Sequence, residues 1–237
     1  MPSPCAYFVT GTDTEIGKTL VSSALLHALA QTGMRAVGMK PVAAGAQWHD
    51  GKWRNDDVES LAAAANMALP QELTTPYLLR EAAAPHIAAQ LENVSINLNH
   101  IRRCYDRLAD EADAIVVEGV GGFCVPLSAE TDTADLARLL GLPVIMVVGL
   151  RLGCINHALL TAQAIAARGL QLAGWVANLV DAEMAYADEN VAAIGARLPA
   201  PLLGVVPRLE LPSAAAAAGN LDFSCLPGWP GERTNSI

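Results

Sequence analysis

A glycine, a lysine and a threonine in a row are the first residues here that could do chemistry. They close the stretch Gly11-Thr12-Asp13-Thr14-Glu15-Ile16-Gly17-Lys18-Thr19. An apolar run, Cys5–Val9, leads into it. Leu20, Val21, Ala24, Leu25, Ala28 and Leu29 lead out at helical spacing. A glycine-bearing turn between a strand and a helix is the setting a phosphate-binding loop requires. Free N–H groups at the helix start and the helix dipole favour an anion there. Gly17 lets the backbone approach a phosphate, Lys18 can reach the terminal phosphates, and the Thr19 hydroxyl can ligate Mg²⁺. The common pattern has a glycine where Thr12 stands, and Gly11 lies one step earlier. The cradle is therefore expected to be a variant.

Further candidates stand at the ends of other apolar runs. Lys40 ends one and is followed by Pro41, which cannot continue a central strand. Ligands of open α/β sheets bind at that edge. Position alone also allows Lys40 to be a snorkelling surface lysine. Glu118 ends Ala114–Val117 and precedes Gly119-Val120-Gly121-Gly122. A carboxylate there is costly to bury without a cation, and Mg²⁺ on a nucleotide would supply one. Asp56 and Asp57 start a helix, either as caps or as metal ligands. Gly149–Gly153 is a second glycine-bearing turn, leading through Cys154 and Asn156 into a helix, hence a second possible anion site. Cys154 has no evident base beside it and is assigned no catalysis. Asn178 ends a fifth run, and its amide could read a base edge.

These positions need a scaffold. Apolar runs at Cys5–Val9, Ala36–Met39, Ala114–Val117, Val144–Val148, Ala173–Ala177 and Leu202–Val206 predict buried parallel strands, mostly separated by helices. We expect one α/β domain over residues 1–237, of the P-loop NTPase type, with a parallel sheet flanked by helices. Residues 41–113 are read as a pocket-shaping insertion: a polar loop at Gln47–Asn55, a helix from near Asp57, a proline-marked loop at Thr74–Pro85 and an amphipathic helix over Asn97–Glu111. The tail after Ser213 is expected to pack weakly or fray.

The chain has 237 residues, 52% hydrophobic and 16% charged, with a net charge of −9. That composition indicates a folded globule and weighs against nucleic-acid or anionic-membrane partners. Five cysteines without a C-x-x-C pair read as reduced thiols, and no secretory signal is visible, so a cytoplasmic location is expected.

Seven motifs in order resemble the dethiobiotin synthetase family. They are Y-F-V-T-G-T-D-T-E-I-G-K-T, K-P-V-A-A-G, R-N-D-D, V-E-G-V-G-G, V-V-G-L-R-L-G-C-I-N-H-A, A-G-W-V-A-N and P-A-P-L-L-G-V-V-P. The resemblance implies carbamylation of 7,8-diaminononanoate by CO₂, phosphorylation of the carbamate by ATP, and closure of a ureido ring by the second amine. It places ATP on Thr14, Glu15, Ile16, Gly17, Lys18, Thr19 and Leu20, on Asp57 and Glu118, and on Gly119, Val120 and Gly121. Adenine contacts fall on Asn178, Pro207, Arg208 and Leu209. Mg²⁺ falls among Thr19, Asp57 and Glu118. Lys40 and Lys18 become the catalytic lysines. Substrate contacts fall on Thr14, Lys40 and Ala44, and on Gly153, Cys154 and Asn156 across a homodimer interface. Ala44 stands where the family usually has Ser or Thr, so a hydroxyl toward the carbamylated substrate is missing.

Three other readings compete, one of them a pure nucleotide-binding module. Partitioning-type switch ATPases share the expected fold but carry a lysine where Asp13 stands, and often a basic membrane-binding helix not visible here. Glutamine-using amidoligases append a glutaminase domain, for which 237 residues leave no room.

Overall fold

All six long apolar runs enter one parallel sheet in the computed structural model, which describes residues 4–231. The strands are β1 (Cys5–Gly11), β2 (Ala36–Met39), then β3 (Val42–Ala43), β4 (Gln47–His49), β5 (Lys52–Arg54) and β6 (Tyr77–Leu78) of two small ribbons, and β7 (Ala114–Glu118), β8 (Val144–Gly149), β9 (Leu172–Asn178) and β10 (Leu202–Val206). The helices are α1 (Lys18–Gln31), α2 (Asp56–Ala64), α3 (Gln71–Thr74), α4 (Pro85–Leu91), α5 (Leu98–Glu111), α6 (Thr133–Leu140), α7 (Cys154–Ala167), α8 (Ala187–Gly195) and α9 (Ala214–Ala218). The sheet order is β10-β9-β8-β1-β7-β2. β1 lies between β7 and β8, pairing Val9 with both Glu118 and Ile145.

Continuous apolar strands have two faces to bury, and the chain builds a core on each. Tyr7, Val9, Val116, Ile145 and Val147 pack with α1 residues Val21, Leu25 and Leu29. Phe8, Ile115, Val117, Met146 and Val148 pack on the side of α5, α6 and α7. α5 buries Ile101, Cys104, Tyr105 and Leu108, which share one helical face, with Asn97 as its cap. The carboxyl ends of β1, β2 and β7 meet at one edge and deliver the phosphate loop, Lys40 and Glu118 together.

Three expectations need correction. The polar loop Gln47–Asn55 is largely an antiparallel hairpin of β4 and β5. Asp50 and Gly51 turn it, both with positive φ (50° and 78°), and Trp48 and Trp53 stack edge to face across it. The proline-marked loop contains β6, which pairs with β3. The tail does not fray as far as Trp229. Ser213 caps α9, Ala217, Phe223 and Leu226 are buried against the α1-side core, and the Pro227 carbonyl accepts a hydrogen bond from the Tyr7 hydroxyl at 2.9 Å. The rest of the tail expectation, at residues 232–237, lies outside the described residues.

Candidate functional site

The phosphate loop is shaped by what its glycines admit. Ile16 is buried, and its side chain fills the space over Gly11 and Gly149, where a Cβ would come within 2.7 and 2.5 Å of it. Gly11 therefore serves the packing of Ile16, and no Cβ-free residue is needed at Thr12. Gly17 caps α1 in the left-handed region at φ 87°. Glu15 holds φ 57° without being glycine, a local strain of the kind concentrated in ligand-binding loops. The buried Asn178 side chain donates to the Ile16 carbonyl at 2.8 Å, tying the end of β9 to the loop. Lys18 donates to the Asp13 carbonyl at 2.7 Å, and Arg151 forms an ion pair with the Asp13 carboxylate.

Beside the loop is a cluster of charge. Lys40 is 3% exposed and Glu118 fully buried. The Lys40 ammonium lies 2.5 Å from Glu118 Oε1, 2.8 Å from Asp57 Oδ2 and 3.2 Å from the Gly119 carbonyl. Burial pulls the Lys40 ammonium down, but the charges and hydrogen bonds of Glu118 and Asp57 outweigh it, and its net shift is upward. Burial likewise pushes Asp57 up, and Lys40 with Thr19 reverses that to a net downward shift. Lys18 goes the other way, lowered to about 8 by burial first and then by the like charge of Lys40.

Thr19 Oγ1 lies 2.7 Å from Asp57 Oδ1 and 2.9 Å from Glu118 Oε1. One hydroxyl proton cannot serve two carboxylate oxygens. Glu118 Oε2 is buried with no hydrogen-bond partner. A crowded oxygen set with one orphaned oxygen is what a small hard cation relieves. Among the described residues no three His, Cys, Asp or Glu side chains gather as a metal site. Two carboxylates and a hydroxyl instead suit Mg²⁺, which takes its remaining ligands from water and phosphate.

The loop, Lys40 and Asp57 line one cavity of about 840 Å³, and Glu118 lies buried behind it. Thr14 to Thr19, Lys40 and Asp57 form its polar side. Ala44, Ala83, Pro85, Val120 and Val125 form an apolar side. No side-chain hydroxyl faces the phosphate loop from that wall, so nothing there replaces the one missing at Ala44.

Several sequence-picked residues lie elsewhere. Leu20 is on α1 behind the loop, partly packed in the α1-side core. Pro207 and Arg208 are exposed beyond β10, while Leu209 packs partly against the α1-side core. Gly153, Cys154 and Asn156 start α7 outside the cavity lining: Cys154 is buried, whereas Gly153 and Asn156 face solvent. Gly153, at φ 95°, is the cap of α7.

Sequence reasoning missed Asn55. Its side-chain oxygen accepts from the backbone N–H groups of Asp57 and Val58, and its amide donates to the Ala44 carbonyl at 3.1 Å. It thereby aims Asp57 and fixes the cavity floor. The signal was present, since Asn ahead of two acidic residues is a strong helix start. The wall at Ala82–Pro85 was legible only as part of the proline-marked loop expected to shape a pocket, because alanine itself advertises no chemistry.

A family model described as an AAA domain matches residues 5–216. The chain is 66% identical over 227 residues to the ATP-dependent dethiobiotin synthetase BioD of Janthinobacterium sp. (strain Marseille), covering 94% of this chain and 96% of the relative. Solved structures similar in fold include MinD in the MinC:MinD cell division complex of Aquifex aeolicus (TM-score 0.56, 13% identity, 87% of this chain and 82% of that one). Another is the septum site-determining protein MinD with Mg-ADP from Pyrococcus horikoshii OT3 (0.54, 16%, 92% and 86%). A third is a ParA family ATPase of Chlorobium tepidum TLS (0.53, 13%, 92% and 96%). At such identities these structures speak for a P-loop NTPase fold and nothing finer.

Proposed function

Because this chain belongs to the dethiobiotin synthetase family and is an ATP-dependent ligase of biotin biosynthesis, we propose that it closes the ureido ring of dethiobiotin from 7,8-diaminononanoate, CO₂ and ATP. The observation that carries the finer reading is the shared cavity, which the phosphate loop, Lys40, Thr19 and Asp57 line together, with buried Glu118 behind them in contact with Lys40 and Thr19. A carbamate placed between Lys40 and a terminal phosphate would have its charge met by an ammonium in a water-poor site.

The loop N–H groups and Lys18 hold the phosphates. Thr19, Asp57 and Glu118 would hold Mg²⁺, which would supply positive charge against the phosphates. Lys40 stabilises the carbamate and the charge that develops as phosphate is transferred. The apolar wall around Ala44 and Pro85 takes the hydrocarbon of the diamine and excludes water.

Asn178 would meet the adenine with the part of its carboxamide not committed to Ile16, beside Pro207–Leu209. The turn at Gly153–Asn156 would take the substrate carboxylate in a partner subunit's site. Exposed Leu152 (95%) and Leu160 (56%) flank that turn and suit burial against a second copy. We place the reaction in the cytoplasm with no nucleic-acid or membrane partner. Among the described residues no helix is long and apolar enough to cross a membrane. Residues 41–113 shape the pocket through Ala44, Asp57 at the start of α2 and the Ala82–Pro85 wall.

Turnover with 7,8-diaminononanoate, bicarbonate and Mg-ATP tests this. The expected result is a product with the mass of dethiobiotin and ATP hydrolysis strictly dependent on the diamine. ATP hydrolysis without diamine and without that product would instead fit a partitioning-type switch ATPase.

A further inference from the structure

Lys40 donates to Glu118 Oε1 at 2.5 Å and to the Gly119 carbonyl at 3.2 Å, and forms an ion pair with Asp57 Oδ2 at 2.8 Å. All three contacts draw the ammonium onto the carboxylates and the backbone rather than toward a ligand in the cavity. Two of its acceptors belong to the side chains that crowd Thr19 Oγ1. Lys40 therefore stands as the counter-cation where a metal would be held. Lys18 adds a second ammonium near the same pair of carboxylates. Two cations against two anions leave the nucleotide-free cluster with no net charge to attract a divalent ion.

Resting on the metal reading above, we propose that Lys40 and the divalent cation compete for Asp57 and Glu118, so that arrival of the metal with its nucleotide releases the Lys40 ammonium toward the cavity. The two carboxylates are then positioning residues for Lys40 as well as metal ligands. In the nucleotide-free chain they hold its protons away from the substrate. Once a metal takes their charge, Lys40 has free N–H groups for the carbamate and the phosphate. A lysine with one rotatable stem can make this move without moving the sheet, because β2 and Pro41 fix its backbone. The arrangement also orders binding: the metal enters with the nucleotide, whose phosphates supply the missing negative charge.

Manganese(II), read directly by its electron paramagnetic resonance, serves as the metal probe. Titrated into nucleotide-free protein, it should bind the wild-type chain weakly and Lys40→Met about tenfold or more tightly, since the carboxylates have lost their resident cation. Adding Glu118→Gln to Lys40→Met should abolish the gain. Equal manganese affinity in wild type and Lys40→Met, with Glu118→Gln still weakening manganese binding in the presence of ADP, overturns the competition and leaves the metal reading standing. Unchanged manganese affinity with ADP in both Glu118→Gln and Asp57→Asn overturns the metal reading and the competition with it. If Lys40→Met does not fold, wild-type crystals decide. With Mg²⁺ and ADP bound, the Lys40 ammonium should have left Glu118 Oε1. A Lys40 still hydrogen-bonded to both carboxylates beside a metal on Thr19 overturns the proposal.

Discussion

Two helices start at the same edge of the sheet with the same local device and opposite surroundings. α1 follows β1 and begins at Gly17, with φ 87°; α7 follows β8 and begins at Gly153, with φ 95°. Each is a strand, a glycine in the left-handed region, and a helix N-terminus with free N–H groups. Around Gly17 the chain closes in. Asn178 contacts it from β9, Lys40 and Glu118 bring buried charge from the ends of β2 and β7, and half-exposed Asp57 adds a carboxylate from α2. Around Gly153 nothing lies within 4 Å of where a Cβ would be, and Arg151, Leu152 and Asn156 face solvent. A helix N-terminus alone is therefore only half a site. The first is completed within the chain; completion of the second, on our reading, comes from a partner copy.

The sharpest way to break that comparison is at the completed site. Lys40→Ala should lower turnover by about 10²–10³, the usual cost of removing one preorganised charge donor. ATP should still bind, because the loop does not depend on Lys40. Single-turnover assays and nucleotide titration separate the two effects. Near-full activity in Lys40→Ala would remove the lysine from the chemistry.

The open site is tested by complementation. Asn156→Ala should weaken use of the diamine by about 1.5–3 kcal/mol, the scale of a hydrogen bond to a charged group. Mixed with Lys40→Ala subunits, it should regain activity. One composite site of each heterodimer collects both defects and the other collects neither. An equal mixture that exchanges freely should reach roughly a quarter of wild-type sites. Demonstrated subunit exchange without any recovery would mean that α7 serves no partner.

The comparison also explains what could be read from the chain alone. The six sheet strands were legible because their runs are apolar throughout, five of them buried on both faces and the edge strand β10 partly exposed. Lys18, Lys40, Asp57 and Glu118 were legible because each is a polar residue at the end of an apolar run or the start of a helix. That Lys40 would lie within 2.5 Å of Glu118 was not, since the two are 78 residues apart and meet only through the pairing of β2 with β7. The β4–β5 hairpin was missed although Asp50-Gly51 is a strong turn signal, because its flanking strands are short and polar. The tail was misjudged for a different reason. A run of alanines carries no periodicity, and its docking depends on Phe223 and Leu226 finding the α1-side core.

Substitution of the two glycine caps measures the same contrast in stability. Gly153→Ala should cost about 1–3 kcal/mol from the left-handed backbone alone, with open space for the new methyl. Gly17→Ala meets the same strain, and its Cβ would come within 2.2 Å of Asn178 Nδ2. It should lose about 1 kcal/mol more as the Asn178–Ile16 hydrogen bond breaks. Thermal unfolding checks the difference, worth about 2–4 °C in Tm for each kcal/mol in a chain of this size. Equal losses would mean that Asn178 does not brace the loop.

The smallest effect lies in the pH dependence of Lys18, which has no counterpart at α7. Burial first, and Lys40 next, lower its ammonium from 10.5 to about 8. Nucleotide phosphates bind the protonated form and oppose its loss. Below about pH 8 the nucleotide-free chain already carries the proton, and affinity is flat. Above it the free chain has lost the proton, and binding must take one up. Affinity should then fall by about tenfold between roughly pH 7 and 9. The sign for folding is opposite. The unfolded lysine keeps its proton up to its ordinary value of 10.5, so between about 8 and 10.5 the unfolded chain holds more protons. Over that window this group makes the nucleotide-free chain more stable as pH rises. Calorimetry of nucleotide binding near pH 9, in two buffers of different ionisation enthalpy, reads the proton directly. Proton uptake should appear in wild type and in Asn156→Ala, and vanish in Lys18→Met. Uptake that survives Lys18→Met, or none in wild type, would mean that the buried ammonium at α1 is not the group that meets the phosphates.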